Sequence, residues 1–474
     1  MDYTTETKPD AIDLSHHLSR LSRERMESPL KGTAMGLLPL QVFIKEFTSI
    51  VFQPAYANFD TLLNAGSTDA WSKICTTLCE RGDGILCEEW TYPSALASAW
   101  PNGFKPVPLK MDGEGMTPEG LDEVLGNWNV EARGGMRRPR VLYTVPVCQN
   151  PTGATMTVQR KKAIYALAVK YDVIIVEDDP YFFLQAGDYE PPSTRVTPSK
   201  TETDEEFIKS LIPSYLKFDY QGRVIRIDTF SKTICPGSRL GWITANPLFS
   251  ERMQRANESS TQAPCGFGQA LITKLLVEEW GLKGYFRWLK GIKAQYRDRR
   301  NTLVDCLVEE SHAGLDARLS SSEKHTYELV TKDSRGRDEK GYLSEKGESS
   351  TKTLLSFVAP QGGMFVWLRV HLSGHPSYPR VSTEDLVVKL WEEIADANVL
   401  LAPGTMFSGV TFGDDSTNPT ACIWGTDAEQ LQELAIDSGD GFFRLAFSTA
   451  SEKEMRAAMK IVGDVVAAFF QKQV

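Results

Sequence analysis

No apolar run in this sequence reaches the roughly 18 residues that a membrane-spanning helix needs. The opening Met1-Asp2-Tyr3-Thr4-Thr5-Glu6 lacks the apolar core of a secretory signal. A basic excess is missing too: the formal net charge is −10, the wrong sign for general nucleic-acid binding. Local arginines and lysines can still hold a small anion, so the global sign leaves the substrate open. The cysteines (Cys75, Cys79, Cys87, Cys148, Cys235, Cys265, Cys306 and Cys422) form no Cys-x-x-Cys pair and have no nearby histidine to complete a zinc site. They read as reduced structural thiols, no metal is expected, and a cytoplasmic location is the default expectation.

What is present is ordinary globular text, 41% hydrophobic and 24% charged. A length of 474 residues suits two domains better than one core. Residues 1–36 read as an N-terminal arm, 37–300 as a large domain and 301–474 as a smaller one. Apolar positions three and four apart predict a helix over 37–52. From about 61 to 290, short apolar runs alternate with amphipathic windows, the sign of a mostly parallel α/β sheet. Strands are expected at 84–88, 141–145, 173–177 and 224–228. Thr157 is a natural N-cap for a helix carrying Ile164, Leu167, Ala168 and Tyr171, which makes a βαβ unit. Residues 313–352 are rich in Ser, Lys, Glu, Asp and Gly with alternating charge, and read as a solvated insertion or loop. Strand text returns from Ser356, and helices follow near 384–396 and 451–470.

Open α/β sheets bind ligands beyond the carboxyl ends of their strands. After the second strand comes Gln149-Asn150-Pro151-Thr152-Gly153, after the third Asp178-Asp179-Pro180-Tyr181, and after the fourth Thr229-Phe230-Ser231-Lys232, with Arg239 beyond. Upstream, Gly66-Ser67-Thr68 opens a helical window and Tyr92 follows the first strand. Each feature alone has a plain reading: a turn, a loop cap or metal ligand at Asp178-Asp179, a surface lysine, a helix N-cap. The shared end of the sheet is what argues against the plain readings together.

This ordered set resembles the class I/II, fold type I aminotransferases dependent on pyridoxal phosphate (PLP), and within them the fungal aromatic and α-aminoadipate branch. The motifs are Gly-Ser-Thr-Asp-Ala-Trp at 66–71, Gln-Asn-Pro-Thr-Gly at 149–153, Glu-Asp-Asp-Pro-Tyr at 177–181, Thr-Phe-Ser-Lys at 229–232 and Phe-Arg-Leu-Ala-Phe-Ser at 443–448. The resemblance implies an α/β fold: a large domain whose mostly parallel mixed sheet is sandwiched by helices, plus a smaller α+β domain. It also implies a homodimer, amino-acid and 2-oxo-acid substrates, and no nucleic-acid or membrane partner.

The resemblance further implies roles. Lys232 would bind PLP covalently and then act as base; Asp178 would pair with the protonated ring nitrogen. Asn150 and Tyr181 would hydrogen-bond the phenolic oxygen, and Tyr92 would stack on the ring. The phosphate would sit on the N–H groups of Ser67 and Thr68, with Thr229, Ser231 and Arg239 completing the cup. Arg444 would clamp the substrate carboxylate, with Asn150 beside it. Gly362-Gly363-Met364-Phe365 reads either as a pocket segment or as simple strand packing.

One departure stands out. Members of the branch carry a glycine-rich segment and then Tyr-Gly-x-x-x-Gly; here the matching text is Lys31-Gly32-Thr33-Ala34-Met35-Gly36, without that segment. A shortened variant and a misjoined reading frame both fit. The expected function is transfer of an aromatic amino group (tyrosine, phenylalanine or tryptophan) to 2-oxoglutarate by a ping-pong route. An α-aminoadipate- or kynurenine-type aminotransferase, a β-lyase and an inactive paralogue stay open as alternatives. A PLP-sensing transcription regulator is disfavoured, because about thirty polar residues before Lys31 are too few for a DNA-binding domain.

Overall fold

The computed structural model describes residues 34–196, 202–309, 315–323, 325–331, 351–409 and 439–474. Lys31, Cys422 and the stretch 332–350 of the expected insertion lie outside the described residues.

The first sheet has seven strands: β1 (Asp60–Asn64), β2 (Gly84–Glu88), β3 (Lys105–Leu109), β4 (Val141–Thr144), β5 (Ile174–Asp178), β6 (Val224–Thr229) and β7 (Gly241–Ala245). Their spatial order is β1-β7-β6-β5-β4-β2-β3. Strands β3, β2, β4, β5 and β6 are parallel, while β7 runs against both β6 and β1. The carboxyl ends of β1, β2, β4, β5 and β6 therefore meet the start of β7 along one edge. Strands β2, β4, β6 and β7 are buried at every position, as a sheet covered on both faces requires. The helix Leu38–Val51 supplies cover by burying Leu40, Phe43, Ile44, Phe47 and Val51. Helix Val158–Tyr171 joins β4 to β5, and Thr157 caps it by accepting the Arg160 N–H at 3.3 Å.

The second sheet has β8 (Leu315–Leu319), β9 (Thr326–Thr331), β10 (Thr353–Val358), β11 (Phe365–His371), β12 (Ala402–Pro403) and β13 (Asp440–Ala446). It is antiparallel throughout, in the order β8-β9-β10-β11-β13-β12. Helices Thr383–Asp396 and Glu452–Phe469 accompany it, the latter started by a Ser451/Glu454 capping box.

Strands β8 and β9 replace the loop reading over 315–331 of the expected insertion or loop at 313–352. Leu315, Tyr327, Leu329 and Val330 are buried, while Asp316 and Arg318 are exposed and Glu328 is half-buried. Arg318 and Glu328 face one another in register and pair at 2.8 Å. Alternating charge in this text is thus partly the solvent face of a hairpin.

Helix Gly281–Glu309 ties the two sheets together. From it, buried Arg300 donates to Gly187 O (2.8 Å) and Pro360 O (2.7 Å), and Arg299 donates to Phe447 O at 2.7 Å.

Candidate active site

The site is built from what the strand ends deliver. Beyond β6 the chain turns tightly: Thr229 Oγ1 donates to Ser231 Oγ (2.9 Å) and accepts the Ser231 N–H (3.1 Å). Lys232 leaves this turn half-buried, and among the described residues its ammonium has no hydrogen bond or ion pair. Burial, then Arg444 and Arg239, hold its pKa below the ordinary lysine value, with Asp178 opposing.

Asp178 closes β5 and is 4% exposed. Its Oδ2 accepts the Tyr143 hydroxyl at 2.8 Å, while Oδ1 is buried with no partner. Burial pushes its pKa up to about 6, tempered by the Tyr143 hydroxyl. Tyr143 sits in mid-β4 and was not singled out from sequence. A buried phenol in a strand needs a partner, but nothing in the sequence says which one.

Asn150 and Tyr181 are both buried (4% exposed each). Asn150 Oδ1 accepts from Arg444 Nη1 at 2.8 Å, which brings β13 of the second sheet to the edge of the first. The Arg444 guanidinium lies over the rings of Phe365 (4.3 Å) and Phe407 (4.7 Å). Its Nε is buried without a partner, and burial lowers its pKa. Phe365 also meets the Tyr181 ring edge-on at 5.6 Å. Burial, then Asp178, raises the Tyr181 phenol well above its usual value.

The remaining predicted residues gather at the other side of Lys232. Gly66 has φ +100°, and the helix Ser67–Leu78 starts immediately after it, leaving first-turn N–H groups free for an anion. Arg239 donates to Ala65 O at 3.0 Å and reaches Ser231 Oγ at 3.5 Å. Thr68 and Arg239 are exposed, whereas Ser67 Oγ is buried without a well-formed hydrogen bond and lies near Asp178. Tyr92 is half-buried at the start of helix Pro93–Ala99, near enough to Tyr143, Tyr181 and Arg444 to act on their charge. The glycines at 362–363 have a packing reason: a Cβ on Gly363 (φ +75°) would stand 2.6 Å from the Cβ of Cys148.

Asp179 turns away from this edge. It pairs with Arg226 (3.1 Å) and accepts the Val147 N–H (3.2 Å), a loop tie. Arg226 also pairs with Glu177 (3.2 Å) and Asp228 (2.8 Å), and Lys161 stands 3.6 Å from Glu177. Among the described residues no group of acidic, histidine or cysteine side chains is placed to hold a metal ion.

Chemically, the edge offers a carboxylate oxygen, an amine, a phenol and an amide around one space, an anion cup on one side and a guanidinium with a free N–H on the other. Three buried polar atoms without partners (Asp178 Oδ1, Ser67 Oγ, Arg444 Nε) mark where ligand groups fit. That pattern suits a flat protonated heteroaromatic ring bearing a phosphate, together with an α-carboxylate.

Residues 54–334 match the family model of class I and II aminotransferases. An aromatic amino acid aminotransferase of Schizosaccharomyces pombe is 37% identical over 382 residues, covering 79% of this chain and 70% of its own. An L-tyrosine:2-oxoglutarate aminotransferase of Serpula lacrymans var. lacrymans is 33% identical over 457 residues, covering 93% and 78% respectively. The crystal structure of the aminotransferase Aro8 from Candida albicans superposes with a TM-score of 0.74 at 31% identity, across 93% of this chain and 79% of that one.

Proposed function

Because the chain belongs to the class I and II aminotransferases, a family of PLP enzymes, we propose that it moves the amino group of an aromatic amino acid to 2-oxoglutarate. The observation that carries the site assignment is the convergence of Lys232, Asp178 with its free Oδ1, and Arg444 with its free Nε on one sheet edge. Bound PLP supplies an electron sink that lets the Cα–H bond of an amino acid ionise.

The chain's own residues do the rest. Asp178 Oδ1 binds the ring N–H. Tyr181 and Asn150 bind the phenolic oxygen, and Tyr92 covers the ring face. The N–H groups of Ser67 and Thr68, with Thr229, Ser231 and Arg239, hold the phosphate. Lys232, less basic than an exposed lysine, would hold the cofactor covalently through its amine. Its Nζ would then carry the proton that leaves the substrate Cα. Arg444 receives the α-carboxylate through its planar fork, a geometry lysine does not reproduce. Phe365 and Phe407 flank that fork, an apolar setting consistent with an aromatic donor. Both half-reactions use this one site, hence a ping-pong route.

A second copy of the chain and a cytoplasmic location belong to the same reading. Helices Leu38–Val51 and Gly266–Thr273 lie side by side, joined by Leu37 N–H to Gln269 Oε1 (2.7 Å), and leave Leu38, Val42, Phe267 and Leu271 exposed.

The test is to load the full chain with PLP and follow its visible spectrum. L-Tyrosine or L-phenylalanine should bleach the aldehyde form's band, and 2-oxoglutarate should restore it. L-Aminoadipate should do so less efficiently, and Lys232→Ala should lose turnover. Light scattering on the same preparation should give twice the chain mass. Bound PLP whose spectrum no amino acid changes would sink the catalytic reading.

A further inference from the structure

The mechanism above leaves one fully buried hydroxyl at the site unused. The Tyr143 side chain is 1% exposed, and its ring packs on Trp71 with centroids 4.6 Å apart. The Trp71 indole N–H donates to Ala95 O at 3.0 Å, which fixes the slab against which Tyr143 rests. A phenylalanine would fill this place equally well. The hydroxyl has to be desolvated to lie here, so its single partner, Asp178 Oδ2 at 2.8 Å, is the reason it is tolerated.

A carboxylate pinned through one oxygen can present only the other. The other is Oδ1, buried and unpartnered. We propose that Tyr143 is a positioning residue for the cofactor: its O–H fixes the rotation of Asp178, aims Oδ1 at the ring nitrogen, and holds Asp178 in its ionised form. This rests on the PLP site proposed above.

Of the other groups facing Asp178, the Ser67 hydroxyl lies close enough to favour the ionised carboxylate but makes no hydrogen bond of good geometry that would fix its rotation. Arg226 is already engaged by three carboxylates. Asp179 and Asp228 repel a second charge, and Tyr181 does likewise only if ionised. Lys232 is the reacting amine. Burial, then Asp178, raises the Tyr143 phenol far above its usual value, so the proton stays on oxygen and the hydroxyl stays a donor.

The experiment measures PLP affinity of the full chain by fluorescence quenching between about pH 5 and 9, for wild type, Tyr143→Phe, Trp71→Phe and Asp178→Asn. Loss of a donor to a carboxylate raises its pKa. The acid limb of PLP binding should therefore move up by about one unit in Tyr143→Phe, with affinity close to wild type at the alkaline end. Near pH 7 that is a loss of about twofold, and near pH 6 of about fivefold. Trp71→Phe disturbs the same packing but keeps the hydroxyl, and its limb should stay put; Asp178→Asn should bind weakly with no such limb. If Tyr143→Phe does not fold, Tyr143→His returns a ring N–H donor and should sit nearer wild type than Asp178→Asn. A Tyr143→Phe limb superimposable on wild type overturns the proposal. Wild-type protein that fails to bind PLP overturns instead the reading on which it rests.

Discussion

At the scale of single residues, each functional group here is weak text and becomes strong only through company. Gly66 illustrates it. Its φ of +100° is open to glycine at little cost, and an added Cβ would stand 2.8 Å from the Arg239 guanidinium. Gly66→Ala should therefore destabilise the chain by about 1–2 kcal/mol and displace Arg239 from the phosphate cup. Thermal unfolding would read the first effect and inorganic-phosphate competition against PLP the second; unchanged values for both would contradict this account. Lys232 and Asp178 were legible because the chain itself puts them at strand ends, and Arg239 because it follows the Thr-Phe-Ser-Lys text. Tyr143 and Phe407 were not, since what gives each its role arrives from elsewhere: Asp178 is 35 residues from Tyr143, and Arg444 comes back to Phe407 from another strand.

At the scale of elements, the parallel strands were readable as apolar runs ended by turn text, because both of their faces are buried. The β8–β9 hairpin was not, because one face is wet and its charges imitate a loop. The strand ends of the first sheet are stitched by a buried charge cluster that no periodicity could announce. Arg226 on β6 holds Glu177 of β5, Asp179 and Asp228, and its guanidinium lies 3.9 Å from the Phe52 ring. Burial alone would make it easier to deprotonate, but the three carboxylates outweigh that and raise its pKa. Arg226→Met would strand those carboxylates with Lys161 as the remaining cation beside them. The expected loss is about 3–5 kcal/mol, visible as a lower urea midpoint at neutral pH. Arg226→Lys should recover only part of it, since a single ammonium cannot fork between Asp228 and the other two. A midpoint within error of wild type for Arg226→Met would show that the cluster is not a tie.

At the scale of the whole molecule, these buried carboxyls make a joint prediction about pH. Burial raises Glu88 and Glu89 to about 7, Asp178 to about 6 and Asp228 to about 6, and raises Asp179 in the same direction. Each binds its proton more tightly when folded, so its stabilising contribution is complete below its unfolded pKa and is lost as pH rises through the folded value. For this set the window runs from about pH 4 to 7. Groups whose pKa is lowered act otherwise, His375 and Glu177 among the buried ones. His375, held neutral chiefly by burial, favours the folded state as pH rises toward its usual value of 6.5 and fully above it. Glu177 is pushed up by burial but pulled down further by Arg226 and Lys161, so its effect falls below pH 4.5, outside this window. Five carboxyls against one imidazole leave a falling curve. The net charge of −10 steepens it, because further ionisation adds self-repulsion. Without cofactor, the chain should thus unfold at a lower temperature near pH 7.5 than near pH 5.5, by several degrees. PLP binding should reverse the order, since it asks for an ionised Asp178 and stabilises only the folded chain. Scanning calorimetry of both forms across that range decides it; a cofactor-free protein that grows steadily more stable from pH 5.5 to 7.5 would mean the edge carboxyls are not buried as described.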